Sequence, residues 1–68
     1  MITKENLSED QLRSLEKVAK NMCVIAEESV DNWPLNFDYL INALNGFAFD
    51  EKYSEEIRNL NTNKTIIS

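Results

Sequence analysis

Histidine is missing from this chain of 68 residues, and cysteine, glycine, proline and tryptophan occur once each. Each shortage excludes a class of function. Without histidine, no side chain has an ordinary pKa near neutrality for general acid–base work. Cys23 alone cannot form an intrachain disulfide, and one thiol with no imidazole does not make a structural zinc site. A single glycine, Gly46, leaves no Gly-rich loop to wrap a phosphate. No apolar run approaches the ~20 residues of a membrane span. Basic residues are absent between Lys20 and Lys52, in a chain with seven Lys and Arg against twelve Asp and Glu and a net charge of −5. The expectations that follow are a non-enzyme with no cofactor, no metal and no membrane association. One cysteine and no signal-peptide pattern fit a reducing cytoplasm.

What is present is helical patterning. Ser8 and Gln11 have the spacing of a capping box, with Glu9 and Asp10 in the first turn where the helix dipole favours negative charge. Leu12, Leu15, Val18, Ala19, Met22, Ile25, Ala26, Val30 and Trp33 then recur by threes and fours, which predicts one long helix over 8–32. Pro34 disfavours helical geometry at Trp33 and is read as the stop. Asn36 is the expected N-cap of a second helix, whose apolar face is Phe37, Leu40, Ile41 and Leu44 and whose end is Gly46. Asp50 is the expected cap of a third, running to about Leu60 with Tyr53, Ile57 and Leu60 facing inward.

The predicted architecture is all-α: one long N-terminal helix with two shorter helices folded against it. Residues 1–7 are expected as a flexible leader, 8–60 as a single helical domain and 61–68 as a loose tail. A 25-residue rod is roughly 37 Å long, longer than a compact chain of this size, whose radius of gyration should be about 11 Å. Such a small chain also sits near the limit at which burial alone offsets conformational entropy. The expectation is therefore a homodimer, a helical bundle paired through Leu7, Leu12, Leu15, Val18, Met22 and Ile25. The competing arrangement is a closed monomer in which the two short helices lie end to end along the first.

Cys23 falls on an apolar edge of the first helix and reads as a small core residue, inert when buried. Glu27 and Glu28 are adjacent, point about 100° apart on a helix and do not form an acid–base pair. With Asp31 they crowd the last turns of the predicted helix, where the dipole prefers cations. Together with Trp33 and Asp38 they are the candidate surface for a basic patch on another protein, Trp33 being a residue type common at interface hot spots. Nucleic acid is not the expected partner. A recognition helix beginning at Asp50 and Glu51 would present carboxylates to base edges that Arg, Lys, Asn and Gln normally read. The alternative, a dimeric nucleic-acid-associated regulator, has Arg13, Lys17 and Lys20 as its only basic patch.

Three segments, Asn21-Met22-Cys23, Trp33-Pro34-Leu35 and Asn42-Ala43-Leu44-Asn45-Gly46, with the length and acidity of the chain, resemble the small conserved proteins of the lambdoid-phage exo–xis region. The resemblance spans roughly Leu7 to Leu60. It implies a non-catalytic accessory protein made early in phage development, working in the bacterial host cytoplasm and bearing on the lytic–lysogenic choice or on host replication. It supplies no catalytic residues.

Overall fold

Ser8 starts the first helix through both halves of the expected box. The Gln11 amide N–H donates to Ser8 Oγ at 3.2 Å, and the Ser8 N–H donates to Gln11 Oε1 at 2.8 Å. The computed structural model of the protein describes residues 1–62, and within them α1 runs Glu9–Ile25. It stops seven residues before the predicted end at Asn32. The stop is a Schellman turn: the Glu28 N–H donates to the Cys23 carbonyl at 2.8 Å and the Glu27 N–H to the Val24 carbonyl at 3.1 Å. Glu27 takes the left-handed position, φ 57°, that glycine usually fills.

That conformation costs a residue with a Cβ about 1 kcal/mol relative to glycine. Glu27→Gly should therefore raise stability, by about 1 kcal/mol less the entropy that glycine adds to the unfolded chain. Urea unfolding of the two proteins measures it. A Glu27→Gly protein less stable than the wild type would mean that the carboxylate makes a stabilising contact outweighing the strain.

The next elements also begin where local patterning did not place them. Ser29 Oγ accepts the Asp31 N–H at 3.3 Å and caps a single 3-10 turn, Val30–Asn32. Helix α2 follows at once as Trp33–Leu44, with Pro34 in its first turn. Proline is at home there, because the first amide groups of a helix have no intrahelical acceptor. So Pro34 opens a helix rather than stopping one, and Asn36 is helical rather than a cap. At the far end Gly46, φ 98°, completes a second Schellman turn, in which the Phe47 N–H donates to the Asn42 carbonyl at 3.0 Å. Asp50 precedes a 3-10 turn, Glu51–Tyr53, and its side chain makes no capping bond. Helix α3 is Ser54–Thr62. The tail expected at 61–68 lies, beyond residue 62, outside the described residues.

The three helices pack on one core, and among the described residues there is no strand. Leu15, Ala19 and Met22 from α1 meet Phe37, Leu40 and Ala43 from α2, and Tyr53, Ile57 and Leu60 close over them. Tyr39 and Tyr53 meet edge to face at 5.6 Å between ring centroids. The radius of gyration is 11.0 Å and the longest extent 31 Å. With 17 residues, α1 is about 25 Å long and fits inside that extent. The length argument for pairing two protomers was built on a 25-residue rod and does not apply to this helix.

The expected leader is folded back. The Ile2 N–H donates to Asn45 Oδ1 at 2.7 Å, and Asn45 Nδ2 donates to the Ile2 carbonyl at 2.9 Å. After a 3-10 turn at Lys4–Asn6, Leu7 packs against the core. No helix among the described residues is long and apolar enough to cross a membrane.

Candidate functional site

The connection between α1 and α2 holds the acidic candidates. Glu27, Glu28 and Asp31 are all exposed, in the residues that link the helices rather than in the last turns of one long helix. Asp31 sits just ahead of the α2 N-terminus, where negative charge is favourable; the expected misplacement against the helix dipole does not apply to it. Glu27 and Glu28 lie immediately past the C-terminus of α1. The same end of the molecule leaves aliphatic side chains in solvent: Val24 is 63% exposed, Val30 44% and Leu35 72%.

Trp33, the first residue of α2, is half-buried. Its ring meets Phe37 edge to face at 6.0 Å, and Lys20 Nζ lies 5.8 Å from its centroid. Asp38, the fifth candidate, is not a free extension of the acidic run. Lys4 Nζ stands 2.6 Å from Asp38 Oδ1 and 5.4 Å from the Phe37 ring centroid. Both charges are exposed, so the pair contributes little to stability, about 0–1 kcal/mol. Lys4 falls in the segment expected to fray, and no local pattern signals its contact with α2.

These contacts outline a groove that sequence reasoning missed. It is lined by Lys4, Leu12, Glu16, Trp33, Pro34 and Phe37 and has a volume of about 250 Å³. Both charged residues of its lining are ion-paired: Lys4 with Asp38, and Glu16 Oε2 with Lys20 Nζ at 3.0 Å.

The residues expected to pair two protomers face inward. Leu15 and Met22 have no exposed surface, and Leu7, Leu12, Val18 and Ile25 pack against the same core. Of the basic trio, Arg13 and Lys17 are exposed, while Lys20 is engaged with Glu16 and Trp33. Cys23 is buried beside Asn36, whose Nδ2 lies 3.0 Å from its sulfur and 3.3 Å from the Ala19 carbonyl. Asn36 thus ties α2 to α1. Among the described residues no three Cys, Asp or Glu side chains gather as a metal-holding group.

No family model, curated protein or solved structure matches the chain.

Proposed function

We propose that this is a small acidic, non-catalytic regulatory protein that acts by binding a basic surface of another protein through its α1–α2 end. The observation that carries the reading is the composition of that end. Three exposed carboxylates, Glu27, Glu28 and Asp31, stand among the exposed aliphatic residues Val24, Val30 and Leu35. Apolar contact supplies affinity at an interface, and single-signed charge supplies steering and selectivity. A merely solvated turn has no need of the aliphatic residues. The biological setting rests on the resemblance over roughly Leu7 to Leu60: a phage accessory protein bound to a host or phage protein, influencing the lytic–lysogenic choice or host replication.

Charge reversal tests the docking surface. Glu27→Lys with Asp31→Lys should leave the fold intact, since the cation at position 27, just past the C-terminus of α1, is favourable and offsets the loss of about 0.3–1 kcal/mol from placing one at position 31, ahead of α2. Association with the partner isolated from a bacterial lysate should slow at least tenfold at low salt. Raising salt to screen the charges should slow the wild type and bring the two proteins together. Equal association rates for both proteins at both salt concentrations would leave the acidic connection as an ordinary solvated turn.

A further inference from the structure

The groove beside the acidic connection has the dimensions of a single side chain. At about 250 Å³ it falls below the roughly 300–1,000 Å³ of pockets that enclose small-molecule ligands. Leu12, Trp33, Pro34 and Phe37 supply apolar lining. Its two charged lining residues are of opposite sign and each is ion-paired, Lys4 with Asp38 and Glu16 with Lys20, so the lining has no net charge to select an ionic group. An uncharged, apolar occupant fits it best.

The unmatched charge lies to one side. Asp31 lies in the 3-10 turn that leads into α2, two residues before the groove-lining Trp33, and Glu27 and Glu28 precede it in the same connection. A helix that seats one side chain in the groove carries its next side chains on that face three or four positions away, about 5.4 Å along its axis, and can turn a cation toward that connection. We infer that the groove is the anchor pocket of the docking surface: it takes one large apolar side chain of a basic amphipathic helix, whose Lys or Arg one turn away meets the carboxylates of the α1–α2 connection. This rests on the proposed function and names its partner class. A second copy of the chain is a poorer occupant, since each carries a net charge of −5 and offers no excess of cations to the acidic connection.

Trp33 is the only tryptophan of the chain and it lines the groove, so its fluorescence reads occupancy directly. Three synthetic helical peptides without tryptophan serve as probes for the full chain: one of lysine and leucine in amphipathic order, one with its leucines replaced by alanine, and one with its lysines replaced by glutamate. The lysine–leucine peptide should bind, shift Trp33 emission to shorter wavelength and reduce acrylamide quenching severalfold. The lysine–alanine peptide should bind at least tenfold more weakly and leave the emission unmoved; the glutamate peptide should not bind.

Glu27→Lys with Asp31→Lys should weaken the lysine–leucine peptide while its anchor still shifts the Trp33 emission at saturation. Equal binding of the lysine–leucine and lysine–alanine peptides, with no Trp33 response, would overturn the anchor pocket and leave the acidic docking surface standing. Binding of the glutamate peptide as tightly as the lysine–leucine one would overturn the basic partner and the proposed function with it. No binding of any peptide would overturn both. An emission shift that grows with protein concentration alone would mean that a second copy fills the groove, and would overturn the inference.

Discussion

Leu40→Ala should lower the stability of the protein by about 3 kcal/mol, within the range found when buried leucines are cut to alanine. Leu40 lies in the middle of α2, is fully buried and belongs to the core cluster that also holds Leu15, Ala19 and Met22 of α1 and Ile57 and Leu60 of α3. Truncation there leaves a cavity in the one core that the three helices share. The scale of the chain makes the loss severe. At 0.05–0.15 kcal/mol per residue, a domain of this size holds roughly 3–10 kcal/mol in total, so the variant should be partly unfolded at body temperature. In urea, with a slope near 1 kcal/mol per molar, the midpoint should fall by about 2–3 M. Leu35→Ala is the internal control. Its side chain is 72% exposed, and the change should stay within about 0.5 kcal/mol. Comparable losses at positions 35 and 40 would mean that α2 is rotated from the orientation described.

Leu15→Pro should abolish the folded state altogether. Proline in the middle of α1 removes one intrahelical hydrogen bond and clashes with the preceding turn, at about 3 kcal/mol or more. It also takes a fully buried leucine out of the core, at about 2–5 kcal/mol. The sum, about 5–8 kcal/mol or more, is as large as the mid-range of the stability estimated above. Far-UV circular dichroism should show most of the helical signal lost. The same substitution six residues earlier should be tolerated, because Glu9 is the first residue of α1, where proline costs little. Ser8 before it already has the extended backbone, φ −72° and ψ 166°, that a following proline requires. A Leu15→Pro protein with full helicity would sink the placement of α1, and so would a Glu9→Pro protein that unfolds.

The contrast between the two ends of α1 shows what a sequence makes legible. Its start is readable because Ser8 and Gln11 are the residues that the capping geometry demands, at the spacing it demands. Its end is not, because the left-handed residue that closes it is Glu27, where the local rule looks for glycine or asparagine. The apolar spacing continues past the break: Ile25 and Trp33 pack on the core while Val30, between them in the pattern, is 44% exposed. Periodicity alone cannot distinguish one rod from two helices joined by a tight turn, and Pro34 was ambiguous for a related reason, since proline both ends helices and begins them. The all-α class and the inward faces of α2 and α3 were legible, because Phe37, Leu40, Tyr53, Ile57 and Leu60 each sit in a strong local pattern. The exposure of Glu27, Glu28 and Asp31 followed from their charge. The groove did not, because it depends on Lys4 lying against Phe37 and Asp38, and contacts across that many residues leave no mark on any short window.

The Ile2–Asn45 pair also fixes where a handle can be attached. It holds the start of the chain beside the C-terminal end of α2, and Met1 points outward, 97% exposed. Helix α2 has 12 residues and is about 18 Å long, and the acidic connection lies at its opposite end. A biotin or affinity tag joined ahead of Met1 would tether the molecule to a sensor surface from the end remote from Glu27, Glu28 and Asp31. Tethering at position 29 or 30 would set that face against the matrix, and a negative binding result there would report the immobilisation instead of the protein.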